Sequence, residues 1–523
     1  MSAELALAII ATVDMCLKRG NELKKICSAL KGAEAELEER TLRLENGWER
    51  CTIQLQFVKQ IQHLMDDGHR ILHERTLRML TGKLDIATLT LKSLVKAQAS
   101  AGGSGTEVRF VPRHVKYAFK KESLDEAIDA LETWQRLSDP SWFLILRMND
   151  RRVDDTLAKQ PKLDESIPST SAIRIGSREV SSTANATSGL TLPAAALSKM
   201  KIESILLCHA KIATSTRSDK VITYILDRID STESNLNMST KKDVRDLARR
   251  LQHGEPQTFG LLNCKGFVEE TNSSNTGQLS DFTMVFRIPP GLARPRSLRD
   301  YLINTKPNSL SHRFSIAQQL ARSISYVHVF GFVHKNVRPE TVLGFEEQGN
   351  ETPSIFLLGF NGFRREEGRT RRYGDDAAER NLYRHPTRQG ISPEDDFVMQ
   401  HDIFSLGVCL LEIGLWQSFV EYDSQNGNPV LSEIFGIARD TSKEYVMKFL
   451  LTSAKERFVE LARSELRECM GTRYSNIVET CLTCLDPDNG GFGDPHEFED
   501  EDGIQVGVRY IEKVLQRLNA LCV

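Results

Sequence analysis

Val333-His334-Lys335-Asn336-Val337-Arg338-Pro339-Glu340-Thr341-Val342-Leu343 crowds polar and charged side chains into a short run between apolar residues. It follows a segment in which Phe314, Ala317, Leu320, Ile324 and Val327 recur at three- and four-residue steps, the spacing of a helix with one apolar face. Two further segments lie downstream in fixed order. Ile355-Phe356-Leu357-Leu358-Gly359-Phe360-Asn361 is an apolar run ending at a glycine, and His401-Asp402-Ile403-Phe404-Ser405-Leu406-Gly407-Val408-Cys409-Leu410-Leu411-Glu412 is an apolar helical pattern with an acidic start.

In order and spacing the first segment resembles the catalytic loop of protein kinases, V-H-R-D-L-K-P-E-N-V-L, with His334, Pro339 and Glu340 identical. The second sits where the metal-binding D-F-G of that family lies, and the third resembles its central helix, D-x-W-S-x-G-x-x-L-x-E. The resemblance covers roughly residues 200–520. It implies that Leu261–Glu269 and Phe282–Pro290 are paired strands, Ser297–Leu302 the helix after them, Gln505–Leu521 a closing helix, and Asp402 a structural residue that holds the catalytic-loop backbone.

Chemistry is a separate matter. Phosphoryl transfer requires a carboxylate to accept the hydroxyl proton, a carboxylate and an amide to hold magnesium, and a lysine on the phosphates. The base position is Asn336, whose amide takes no proton near neutral pH. The magnesium carboxylate is replaced by Gly359 and the catalytic-loop asparagine by Thr341. A hard, dehydration-resistant cation has no carboxylate to bind there. No glycine occurs between Leu190 and His253, so a phosphate-cradling loop is missing. The strand corresponding to V-A-I-K is best matched by Val221–Asp227, which contains no lysine, although Lys211 and Lys220 flank it. Leu382–Thr387 stands where A-P-E is expected and lacks the glutamate, and Arg369, Arg371 and Arg372 beside Thr370 and Tyr373 read as a solvated loop. His334, Lys335, Asn336, Arg338, Thr341 and Gly359 are thus degenerate site positions, and the expectation is a pseudokinase, with no catalytic residue and no metal.

At 523 residues the chain exceeds one core, which stops growing near about 250–300 residues. From Leu5 to about Val95 the pattern is helical, with breaks expected at Gly20, Gly47 to Arg50, and Thr81-Gly82. Ala97–Gly105 reads as a flexible connection, and a further helix is expected from a capping box, Ser123 with Glu126, to Asp139-Pro140. The fold class is therefore multidomain. An all-α N-terminal helical bundle over 1–150 is followed by a disordered linker over 151–194, rich in Ser, Thr, Asp, Arg and Pro, and an α+β bilobal protein-kinase-like domain over 195–523. Ala3–Ala11, Arg40–Trp48 and Trp134–Trp142 make the bundle similar to fungal HeLo and HeLo-like domains and, by analogy, to the mixed-lineage kinase domain-like proteins. That resemblance implies an effector of cell death or incompatibility that attacks membranes once released; the all-round apolar pattern of Leu5–Ala11 itself reads as a core helix, buried at rest.

A net charge of −3 supplies no field that would draw the chain to nucleic acid or anionic lipid. Ten scattered cysteines offer one CxxC, Cys481 and Cys484, inside an apolar helical pattern, which reads as buried thiols rather than a zinc site. Residues 1–20 lack a secretory pattern and no apolar run reaches about 20 residues, so a cytoplasmic protein is expected, membrane-associated only on activation. The expected partners are proteins, including a second copy bound through the bundle. No cofactor is expected, and ATP binding without magnesium stays open. Two alternatives stand beside this reading: an active, unorthodox kinase in which Asp375, Asp376 or Glu346 supplies the carboxylate, and a homotypic scaffold without membrane activity.

Overall fold

The computed structural model describes residues 2–29, 35–99, 108–112, 122–131, 142, 144–148, 150–159, 190–217, 220–229, 237–252, 255–274, 277–306, 309–347, 350–361, 363–365, 374–423, 427–489, 492 and 504–521. The chain divides into two compact units, Met1–Ala172 and Ile173–Val523. The first is mainly helical and the second mixes helices with a six-stranded sheet.

In the first unit three long helices run α1 (Ser2–Ala29), α2 (Ala35–Ile61) and α3 (Asp67–Leu94). Their buried residues keep helical steps: Ile9, Val13, Cys16, Leu23 and Ile26 on α1, and Leu44, Trp48, Cys51, Leu55 and Val58 on α2. The breaks expected at Gly20, Gly47 to Arg50 and Thr81-Gly82 are corrected, because each falls inside an unbroken helix. Gly20 serves packing instead: it faces the Trp48 indole so closely that a Cβ would stand 1.9 Å from a ring carbon. The break before α3 occurs at Met65-Asp66, where the Asp66 carboxylate accepts the His69 amide at 2.8 Å. Only one face of the apolar N-terminus is covered, since Ile9 is buried whereas Leu7 is 67% exposed.

After α3 the unit departs from an all-α bundle. Strands β1 (Val95–Ala99) and β2 (Val108–Pro112) pair antiparallel, so the segment read as a flexible connection begins in a strand. Helix α4 spans 122–131 and buries Leu124, Ile128 and Leu131. Arg40 on α2 holds Asp125 on α4 with two parallel bonds of 2.6 and 2.8 Å. Helix α5 (Arg151–Lys159) buries Val153 and Leu157 and packs on α2, which corrects the expected linker start at 151. The remainder of the expected linker, to residue 189, lies outside the described residues, as does the segment around Trp134.

The second unit opens with β3 (Thr191–Leu192) and the short helix α6 (Ala195–Ser198). Strands β4 (Lys201–Ser204), β5 (Lys211–Arg217) and β6 (Lys220–Ile229) form a meander. Helices α7 (Asn237–Arg250) and α8 (Pro256–Phe259) precede the hairpin of β7 (Asn263–Ser274) and β8 (Gly277–Arg287). The sheet order is β3-β7-β8-β6-β5-β4, antiparallel apart from the β3 to β7 pairing. Alternation along β6 sends Tyr224 and Leu226 to one face and Ile225 and Asp227 to the other.

Strand β9 (Leu292–Ser297) then leads into α9 (Leu298–Asn304), capped by the Ser297 hydroxyl accepting the Asp300 amide at 3.1 Å. The amphipathic segment of the sequence is α10 (Leu310–Val329), followed by β10 (Phe332–Val333), β11 (Val342–Glu347), β12 (Asn350–Leu357) and β13 (Arg364–Arg365). After the single-turn helix α11 (Ala378–Asn381) comes α12 (Met399–Leu415), buried over nearly its whole length, as its all-round apolar composition requires. Helices α14 (Ala454–Arg463) and α15 (Glu465–Leu482) pack on it, α13 (Lys443–Thr452) packs on α11 and α14, and a last helical stretch over 504–519 closes the unit.

Candidate functional site

The polar run of the sequence leaves β10 and forms a loop whose shape is dictated from beneath. Asp402, in the first turn of α12, is fully buried. Its carboxylate accepts the main-chain N–H of His334 at 2.7 Å and of Lys335 at 2.8 Å, with His328 Nε2 at 3.1 Å. Burial alone would raise this carboxyl; the bonds from His328 and His334 outweigh it and hold Asp402 below the usual carboxylate range. The two anchored amides let Lys335 sit at φ +64°, a conformation side chains rarely adopt. The Lys335 ammonium lies over the Phe397 ring at 5.7 Å. His334 packs on Phe360 with centroids 4.8 Å apart, and burial pushes its imidazole down to about 4.

The remaining positions meet at Gly359. Asn336 Nδ2 donates to the Gly359 carbonyl at 2.9 Å while its Oδ1 accepts from Arg338 Nε at 2.9 Å. The Thr341 hydroxyl turns back onto its own loop, donating toward the carbonyls of Asn336 and Arg338 and accepting the Arg338 amide at 3.2 Å. Gly359 itself has φ +79°, and a Cβ there would stand 2.3 Å from Thr341 Cγ2 and 2.7 Å from Thr341 Cβ. The space beside residue 359 is therefore filled by Thr341, and the groups facing it already have partners within the chain.

Three further residues complete this junction. Asp227, 1% exposed at the inner face of β6, accepts the N–H of Gly359 at 2.9 Å and of Phe360 at 3.1 Å through one carboxylate oxygen. From the turn between β4 and β5, His209 Nε2 accepts from Arg338 Nη2 at 2.6 Å. Cys208 Sγ donates to the Glu340 carbonyl at 3.2 Å, and burial pushes that thiol up to about 12. Sequence reasoning missed all three. A signal existed for Asp227 alone, as the carboxylate that ends the apolar run of β6 in register with inward-facing Ile225.

The loop is braced from below by Arg299, completely buried at the start of α9. Its guanidinium meets Glu340 at 3.2 Å, Glu412 at 2.6 Å and the Ser418 hydroxyl at 2.7 Å, and donates to the Tyr383 hydroxyl, which in turn donates to Glu412 at 2.9 Å. Burial pushes the Glu412 carboxyl up against the pull of Arg299. In Glu340 the charges of Arg299 and Arg338 outweigh burial and hold the carboxyl low.

The acidic residues considered as substitutes are engaged elsewhere. Asp375 is held by Arg384 at 2.8 Å and Arg380 at 3.1 Å, Asp376 by Lys443 at 2.6 Å, and Glu346 by Arg294 at 3.0 Å. The connection from β8 to β9 carries Pro289 and Pro290, which lack N–H donors. Among the described residues no group of three or more His, Cys, Asp or Glu side chains could hold a metal ion. Cys481 and Cys484 are buried, and burial raises both thiols. The loop around Thr370 and Tyr373 lies outside the described residues. No described helix is long and apolar enough to cross a membrane. No protein-family profile matches the chain, and no curated protein matches it.

Proposed function

We propose that the chain is a catalytically degenerate, protein-kinase-like signalling protein that acts by binding and carries no phosphoryl-transfer activity. The observation that carries this reading is the commitment of Asn336 and Gly359: the amide at the base position bridges the Gly359 carbonyl and Arg338, and Thr341 fills the space a metal-binding side chain at 359 would need. The kinase-like part of the reading draws support from the antiparallel order β7-β8-β6-β5-β4 with a helix following β6, and from Asp402 beneath the loop amides. Fold alone assigns no activity, so the site decides.

In this reading the second unit senses a protein partner and the N-terminal helices are the output, in cell death or incompatibility, from a cytoplasmic resting state. Leu7, 67% exposed near the start of α1, is one exposed apolar residue of that unit, with Leu42 and Leu89, that suits a membrane or partner contact on release. A thermal-shift titration of the full chain with ATP, with and without magnesium, alongside transfer of label from γ-labelled ATP, tests the central claim. A ligand bound only to the folded state raises its melting temperature. The expected result is neither shift nor label. Magnesium-dependent labelling lost on mutation of Asp227, Asp375 or Glu346 overturns the reading. Leakage of liposomes by the full chain with its activating partner, absent when Leu7 is changed to Asp, supports the membrane output, and no leakage removes it.

A further inference from the structure

Residues 190–200 form a strap that joins the sheet edge as β3 and then, with α6, covers the sheet face opposite the candidate site. The Leu190 carbonyl accepts the Phe267 amide at 2.9 Å, and β3 runs parallel to β7 in the register Leu192 with Val268. The approach is close enough that a Cβ on Gly266 would stand 2.4 Å from the Leu190 oxygen. Leu197, on α6, is buried with Ala213, Tyr224, Leu226, Val268 and Val285, and Leu192 and Met200 pack against the same cluster.

Strand β6 thus carries two loads on two faces. Tyr224 and Leu226 lie under the strap, while Asp227, the next residue, faces the other way and bonds the Gly359 and Phe360 amides. The turn reaching Arg338 through His209 and Glu340 through Cys208 joins the same meander, between β4 and β5. A shift of β6 of even half an ångström would lengthen two hydrogen bonds to a buried carboxylate, which are among the stronger bonds a folded chain makes.

We infer that Asp227, His209 and Cys208 form a clasp that closes the candidate site from within, and that the strap governs it through β6. A partner that lifts the strap opens the clasp, and opening the clasp loosens the strap. Such coupling is reciprocal by linkage. The inference rests on these contacts and holds whether or not the chain transfers phosphate.

Hydrogen exchange of the full chain, read by mass spectrometry, tests it without nucleotide. Asp227→Asn keeps an acceptor but removes the charge, and Leu197→Ala trims the strap without touching the site. Asp227→Asn is expected to speed exchange in peptides spanning 357–361 by about tenfold, the factor corresponding to about 1.4 kcal/mol. Leu197→Ala is expected to speed exchange in the same peptides as well as its own, and the double variant to give less than the product of the two factors. Peptides within 403–413 of α12 serve as the control and stay unchanged. Exchange at 357–361 that ignores Asp227→Asn overturns the clasp, and exchange there that ignores Leu197→Ala overturns its control by the strap. Uniform acceleration reaching 403–413 overturns both, because the contacts would then be ordinary parts of one cooperative core.

Discussion

At Gly359 a single missing side chain is matched by what surrounds it. The backbone is left-handed at φ +79° and the Thr341 methyl stands 2.3 Å from the position that a Cβ would take. Placing a carboxylate there with Gly359→Asp is therefore expected to destabilise the second unit by about 3 kcal/mol, through backbone strain and overpacking together, and to create no magnesium-dependent nucleotide binding. Thr341→Ala removes the methyl at 2.3 Å but leaves Cβ at 2.7 Å, so in the double variant it returns part of that loss. Chemical denaturation of the four variants in a cycle measures it, and a fully additive result removes the steric argument. Gly20 in the first unit obeys the same logic, with Trp48 as its neighbour. Gly20→Ala is expected to lower the melting temperature although alanine is the better helix former, and a rise would show that propensity outweighs packing there.

At the scale of elements, α9, α12 and the candidate loop are joined by one buried guanidinium. Arg299→Met leaves Glu412 buried without a counter-ion and Glu340 with Arg338 alone, which is expected to cost about 3–5 kcal/mol. Neutralising one partner with Glu412→Gln in the same chain is expected to return a measurable part of that loss, because the uncompensated charge causes most of it. Equilibrium unfolding of the two variants decides: equal or greater loss in the double variant would show that shape, not charge, dominates the contact. The loop was legible as a motif because its positions lie within nine residues of one another, from Val333 to Thr341. The Arg299 brace was not, since its partners stand 41 and 113 residues away along the chain.

For the whole molecule, two compact units each with buried apolar residues are expected to unfold in separate calorimetric transitions, with Gly359→Asp moving only that of the second unit. Acid acts on the same unit. Burial lowers His334 and His385 to about 4 and His401 to about 3, while the unfolded chain binds those protons near about 6.5. Since the unfolded state then holds more protons, stability is complete above about pH 6.5 and falls as pH drops from there toward 4, by on the order of 3 kcal/mol for His334 alone. Scanning calorimetry at pH 7.5 and 5.0 is expected to show the second transition moving down. An unchanged transition would mean that these rings are solvated in the folded chain.

Periodicity along the chain was enough to place the helices, the alternating strands and the substituted loop, because backbone propensity and the burial of one face are decided within a few residues. That Asn336 and Gly359 stand where the resembling motif has acidic residues rests on that resemblance and not on periodicity. Where α1, α2 and α3 break was misjudged, because a glycine in isolation signals a turn whereas Gly20 answers to an indole on another helix. Asp227, 132 residues before Gly359, could join the site only through sheet register and long-range packing. Partner choice among distant groups depends on the folded geometry, in which contacts between residues far apart in sequence outweigh local preference.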